Sequence, residues 1–453
     1  MTITADWTPA PVASISTFDS LRVRDYRLLW LGQVSTSMGQ WMDQFTRAWL
    51  IYEITGSPFQ LGAVTAARGL PLLLFGILAG AFADRSNRKM QLVVAQVSNA
   101  LLNVILASLV ITGNVQEWHV YVTAFLAGSM QAFQQPARQT LISDLVPEHK
   151  LLNALALNSA ALNASRMIGP AIAGLVIAQV GTGGSYAVQA AMYAFATVWT
   201  FQLCIPARVL LVDEQGAPMQ RLPFLQSVGE GLAFAGKEPS IRALLLLGLG
   251  PLTFAMSYTA LMPLIAINVL KGGPELGGWL LSSIGVGALI GALVVASMRR
   301  NTGYGLSVVL GALAFSAALF AFASSSILWL SLVLGVLLGL VSVTFTTQNQ
   351  SLLQVITPRA LRGRVMSIYL LDRGLVPIGA LAAGWLAEHF GGPGAMRGLA
   401  LIAVAIIAAV VATHPKLIRL QVPLGERVGT GRGGHGTGRG GLEVPARVEG
   451  RAG

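Results

Sequence analysis

Apolar runs long enough to cross a bilayer recur along most of this chain, separated by short polar turns. A crossing helix needs about 20 mostly apolar residues. The pattern predicts twelve of them. In the first half they are residues 28–52, 59–83, 90–112, 119–142, 155–180 and 184–205; in the second half, 241–269, 276–298, 304–323, 326–350, 364–389 and 395–413. Residues 206–240 form the one long polar connection between runs; the others are short, so successive spans are neighbours. The expected fold class is therefore an all-α membrane protein of twelve transmembrane helices. They fall into two six-helix lobes, 28–205 and 241–413, joined by the linker 206–240. Residues 1–27 read as a polar arm lacking the basic start and apolar core of a signal peptide. Residues 414–453, rich in Gly and Arg, read as a disordered basic tail near the membrane surface.

Composition removes whole classes. The chain is 54% hydrophobic and 11% charged, with mean hydropathy +0.66; soluble proteins carry about 25% charged residues. A soluble globular enzyme is excluded. The net charge of +11 sits at the ends of apolar runs and in the tail, so the expected partner is anionic lipid headgroups and not nucleic acid. The tail has no interleaved aromatics of an RNA-binding kind. Cys204 is the single cysteine, so no disulfide or cysteine metal site forms within the chain; it reads as small apolar filler at a span end. Lys and Arg also orient the spans. With the N-terminus in the cytoplasm, the inner segments hold sixteen bases before the tail and the outer loops hold Lys271 and Arg397. Both termini are expected on the cytoplasmic side of a cell inner membrane.

The chain reads as written twice, at an offset near 211. Gly76 and Gly80 match Gly287 and Gly291, Arg88-Lys89 matches Arg299-Arg300, Gln139 matches Gln350, and Pro147 matches Pro358. Further on, Gly169, Gly174 and Gly181 match Gly379, Gly384 and Gly391 at 210. Six plus six spans in parallel repeat is the layout of a two-lobed secondary transporter with its path between the lobes.

One short stretch is unusual for so apolar a chain. GAFADRSNRK carries Gly80 near the end of span 2 and places Asp84, Arg85, Arg88 and Lys89 in the turn between spans 2 and 3. It resembles the signature G-x-x-x-D-R-x-G-R-R/K between helices 2 and 3 of the major facilitator superfamily, with Asn87 where that family has glycine, a residue that also tolerates positive φ. The resemblance covers residues 20–415. It implies that Asp84 faces the positive N-terminus of helix 11, here preceded by Pro358 and carrying Arg362 and Arg364, and so latches the lobes on the cytoplasmic side. At offset 211 the second copy has Val295 in place of Asp84, so one latch acid is expected. Arg166, Gly169, Pro170 and Gly174 in span 5 resemble the Gly-Pro motif of exporters in that superfamily, in which proline softens the helix and glycines permit close packing. FDSLRVRDYRLLWLGQ and LVPEHKLLNALALNSA, with LRGRVMSIY, look like the branch holding the enterobactin exporter and macrolide-efflux permeases. The branch implies export.

Ionisable groups at membrane depth are functional candidates by default. Asp43 and Arg47 lie four residues apart on one face of span 1; Asp43 is the leading proton-coupling candidate, against the plain alternative of a self-neutralised ion pair. Asp372 in span 11 is the second, with Arg166 as its partner or serving the gate. Arg68 is placed in the outer half of span 2, reaching outward. The implied fold lines its cavity with helices 1, 4, 7 and 10, which makes Gln40, Gln44, Gln131, Gln134, Arg138, Tyr258 and Asn349 the candidate cargo contacts. No phosphate-binding loop, no HExxH and no histidine cluster occurs, so neither a nucleotide nor a cofactor or metal is expected. The resulting expectation is a monomeric, proton-coupled exporter of small amphipathic compounds. A dedicated siderophore or metabolite exporter and a lipid flippase of the same fold remain open.

Overall fold

The computed structural model of the protein describes residues 17–204, 229, 233–297, 304–358, 361–369 and 372–420, with side chains at 77–85, 304, 367 and 372–373 outside that description. Most of the linker, the tail beyond Leu420, and the side chains of Asp84, Arg85 and Asp372 thus lie outside the described residues.

Every described element is helical. The first half contains α1 (Arg24–Thr55), α2 (Pro58–Arg85), α3 (Arg88–Ile111), α4 (Glu117–Leu145) and α5 (Glu148–Phe201). The second contains α6 (Pro239–Ala255), α7 (Pro274–Ser297), α8 (Tyr304–Ser324), α9 (Leu328–Ile356), α10 (Arg362–Tyr369) and α11 (Asp372–Thr413). A 3-10 segment (Met256–Leu261), one α turn and a π turn (Ile265–Val269) carry α6 onward. Among the described residues, eight helical runs are long and apolar enough to cross a membrane. Two of these, 54 and 40 residues long, are each sufficient for two crossings. They break at Gly181 (φ 75°, ψ 177°) and Gly391 (φ 69°, ψ 171°), a backbone region open essentially to glycine alone. The Gly181–Gly391 match in the sequence is thus a matched pair of helix breaks. α1 and α4 are absent from the apolar set because they carry buried polar side chains. With them, the helices have room for six crossings on each side of the linker.

The repeat is real, but its register differs from the sequence reading in the first three spans. Gly56 (φ 64°) ends α1 and Lys271 (φ 53°) ends the equivalent run, an offset of 215. Pro58 and Pro274 each open a helix, an offset of 216. Gly62 abuts Ala380 and Gly384, while Gly278 abuts Pro170 and Gly174, again 216 against the firm 210 of α5 and α11. Gly76 and Gly80 therefore do not correspond to Gly287 and Gly291, and the Arg299-Arg300 match lies outside the described residues. The difference is recovered because α8 and the loop after it are shorter than α3 and its loop. From α4 onward the sequence register holds: Gly128 and Gly339, 211 apart, pack against the backbones of α2 and α7 in the same way. Glycine is so frequent in these spans that a slipped match looked like a true one.

The two lobes meet along two glycine seams. In one, α2 meets α11: a Cβ on Gly62 would overlap the Ala380 carbonyl, and one on Gly69 would lie 3.2 Å from the Pro377 ring. In the other, α5 meets α7: a Cβ on Gly174 would lie 2.5 Å from the Pro274 oxygen, and one on Gly278 2.5 Å from the Pro170 oxygen. Backbones can approach this closely only where side chains are missing. Both seams lie toward the face carrying Gly56, Gly181, Lys271 and Gly391, the loop face. There Glu388 accepts from Ser57 Oγ (3.0 Å) and Phe59 N (2.9 Å), across the lobes and at the N-terminus of α2. Asn268 donates to the Tyr52 hydroxyl at 3.1 Å, also between lobes. The opposite, terminus face carries Asp19–Arg22 and the turn before α3.

Candidate functional site

α1 is the most polar helix of the first lobe, and its buried polar face organises the interior. Asp43 and Arg47, one turn apart, pair at 2.7 Å; both are at least 97% buried. Arg47 also donates to Thr123 Oγ1 (2.7 Å) and the Val120 carbonyl (3.1 Å) of α4, and its guanidinium lies 6.0 Å from the Tyr186 ring. Arg68 of α2 donates to the second carboxylate oxygen of Asp43. This corrects the outward-reaching placement: Arg68 turns inward because a buried carboxylate, Asp43, is on the neighbouring helix. Two guanidiniums therefore share one acid. Beside them Thr46, Ser185 and Gln189 form a closed polar triangle of 2.8–3.2 Å contacts between α1 and α5.

Two turns toward the terminus face, Arg138 of α4 donates to Gln33 and to Thr36 Oγ1 (2.8 Å) of α1. Its Nη2 is buried without a partner, as is the Gln134 carbonyl oxygen one turn away. Arg166 of α5 holds its guanidinium 5.5 Å from the Trp41 ring centroid, an arrangement that spares a cation some of its desolvation. Gln40, Gln44 and Gln131 are half-buried along the same faces of α1 and α4. In the second lobe Asn349 donates to the Leu244 carbonyl at 3.2 Å. Tyr258 is fully buried in the apolar core with its hydroxyl unpartnered.

The turn before α3 is anchored within its own lobe. Arg88 pairs with Asp144 of α4. Lys89 donates to the Leu203 carbonyl (2.8 Å) and sits 5.5 Å from the Phe201 ring centroid. Asn87 stands at φ −70° and caps α3, its side chain accepting from Met90 N at 3.2 Å. It therefore serves as an N-cap, not as a positive-φ substitute for glycine. Cys204 is exposed rather than packed, and its N–H donates to Asp25 Oδ1 at 3.1 Å. Of the expected latch partners, Arg362 has its Nε buried without a partner.

Two of the three stretches that carried the branch resemblance, those at the start of α1 and of α5, form one unit. Ser20 and Asn153 bond at 2.7 Å, Asn153 donates to the Thr17 carbonyl at 2.9 Å, and the Tyr26 and Trp30 side chains donate to the Ala154 and Leu157 carbonyls. Asp19 meets Lys150 at 2.9 Å. That hydrogen bond holds the Asp19 carboxyl below the usual carboxylate range, so the pair persists at neutral pH and weakens only as pH falls through the carboxyl's lowered value.

Sequence reasoning missed Arg68 as a partner of Asp43, Asp144 as the partner of Arg88, Glu388 as the bridge between lobes, and Tyr186 and Tyr193 beside the charge cluster. Asp144 carried a legible signal, an acid at a span end facing a basic turn. The others depend on helix rotation, which spacing alone does not give.

Two helical lobes seamed by glycine, with the polar interior on inward faces of α1 and α4, define a secondary transporter of the major facilitator kind. A family profile described as "Transmembrane secretion effector" matches residues 15–426, and the chain belongs to that family. It is 28% identical to the Staphyloferrin A transporter of Staphylococcus aureus (strain NCTC 8325 / PS 47) over 78% of this chain and 87% of that one. It is 27% identical to the multidrug efflux pump Tap of Mycolicibacterium fortuitum over 83% and 91%. It is 26% identical to the enterobactin exporter EntS of Shigella boydii serotype 18 (strain CDC 3083-94 / BS512) over 82% and 88%. Among solved structures, it is similar in fold to a bacterial homologue of the human lysosomal transporter Spinster in an inward-facing, unoccupied conformation. The TM-score there is 0.67 at 15% identity, covering 88% of this chain and 96% of that one. The chain is a multi-pass membrane transporter and not an enzyme.

Proposed function

We propose that this protein exports a small amphipathic compound across a cell inner membrane by alternating access, in exchange for protons, as a monomer with both termini in the cytoplasm. The observation that carries the reading is the pair of glycine seams on the loop face: backbone against backbone, without interlocking side chains, is a joint that can open and re-form. The names of the relatives, two efflux or export proteins and a siderophore transporter, support export as the direction. In this reading the loop face is extracellular and is the side closed in the present conformation. Asp43 is the coupling acid. It is the one buried carboxylate among the described residues, and a proton on it removes the partner of two guanidiniums at once. Asp372 is the second candidate. Asp84, meeting the start of α10 at Arg362 and Arg364, would latch the terminus face in the alternate state, with Arg85, Arg88 and Lys89 holding its turn. Arg166, Gly169, Pro170 and Gly174 form the hinge of α5. A dedicated siderophore exporter is the second reading, favoured by the siderophore names among the relatives, and differs in accepting one cargo rather than several.

The test is a disulfide across the loop face. Ser57→Cys with Glu388→Cys, in a Cys204→Ser background, should cross-link on oxidation, stop export, and regain it on reduction. Export at the uncross-linked rate by a fully cross-linked sample would contradict alternating access through this gate.

A further inference from the structure

Among the described residues, the first lobe carries more positive charge at membrane depth than it neutralises. Arg47 and Arg138 are buried and Arg68 and Arg166 half-buried, and Asp43 is the one buried carboxylate described there. Arg47 and Arg68 divide that one carboxylate, and Arg138 meets only neutral oxygens, with Nη2 buried and unpartnered. Arg138 bonds Thr36, two turns along α1 from the Asp43 carboxylate that Arg47 and Arg68 share, so the three line one stretch of that helix. A guanidinium out of water without an anion is strongly unfavourable. Such groups persist when something other than the fold uses them.

The repeat shows that the fold does not need them. In the register that the helix ends and glycine seams establish, Asp43 corresponds to Tyr258, Arg47 to Met262, Arg68 to Ile284, Arg138 to Asn349 and Arg166 to Val376. The second lobe builds the same helices with no charge at any of these places. The charges are therefore an addition to one lobe.

We infer that this cluster binds an anionic oxygen group, a carboxylate or its equivalent, on the cargo; calling the ligand cargo rests on the export reading above. Arg138 is the primary contact, since its free Nη2 completes the planar fork that recognises a carboxylate. Arg68 is the secondary one, because Asp43 can release it and keep Arg47. Thr36 and Asp43 are two turns apart on α1, about 10 Å, which suits an extended anion or one with more than one acidic group. Asp43 then acts as an internal anion that occupies Arg68 while cargo is absent.

The experiment uses purified full-length protein and three matched probes: 2-naphthoate, the neutral 2-naphthamide and the cationic 2-naphthylmethylammonium. Wild type should bind the naphthoate at least tenfold tighter than the amide, and added salt should reduce that margin. Arg138→Gln should remove most of the margin and Arg138→Lys should keep part of it. Arg68→Gln, which leaves Asp43 paired with Arg47, should narrow it with the fold intact. Equal binding of acid and amide, preference for the ammonium, or an undiminished margin in both glutamine variants would overturn the inference. Binding is read without transport, so loss of export in cells would strike the export reading and leave this result standing.

Discussion

Gly62→Val should cut transport at least tenfold while leaving the amount of folded protein in the membrane nearly unchanged. The reason is where the added atoms land. A Cβ at Gly62 overlaps the Ala380 carbonyl of α11, a group of the other lobe, so the clash falls between lobes and not within one. Overpacking of a tight contact costs about 1–3 kcal/mol, occasionally more, and here the molecule can avoid that penalty by parting the seam. The state closed at the loop face is then depleted. Gly278→Val, the symmetric position against the Pro170 carbonyl, should behave the same way. Gly236→Ala, with nothing within 4 Å, should be neutral. Labelling of a cysteine at the exposed Asn268 should rise in both seam variants. Normal transport by both would show that the seam is not part of the cycle.

The second large effect concerns Asp43. The asparagine of Asp43→Asn would leave the Arg47 and Arg68 guanidiniums with no charge to face. Removing one partner of a buried ion pair costs about 3–5 kcal/mol. Asp43→Asn should therefore lower the thermal midpoint of the purified protein sharply. Adding Arg68→Gln should recover part of that loss, because residues in one charge network are coupled by about 0.5–3 kcal/mol. A midpoint equal to wild type would mean that Asp43 is not holding two cations.

The helical layout was legible because its signal is long and repeated: eight described helical runs are plainly apolar enough to cross, and α1 and α4 fall short of that only through their buried polar side chains. The Gly181–Gly391 match carried more than it promised, marking the two places where a continuous helix must break with positive φ. Register within the first three spans was not legible. Glycine recurs there often enough that Gly76 and Gly287 matched at the wrong offset, and only the packing of Gly62 against Ala380 and Gly278 against Pro170 identifies the true equivalents. Partner choice was also hidden. Asp43 with Arg47 followed from one helix's spacing, but Arg68 reaches Asp43 through the rotation of α2 about its axis, a tertiary property. Asn87 was read through the residue it replaces in the family pattern, when its own chemistry is that of a helix cap.

The central claim is export by alternating access driven by protons. It is tested most directly by measuring the efflux of a chemically diverse compound panel from cells that express the wild-type chain or an expression-matched Gly62→Val variant, with and without a protonophore. The account predicts that compounds leave only with the wild-type chain and only while the proton gradient stands. Efflux that continues undiminished after the gradient is collapsed, or is equal in the two strains, would contradict it.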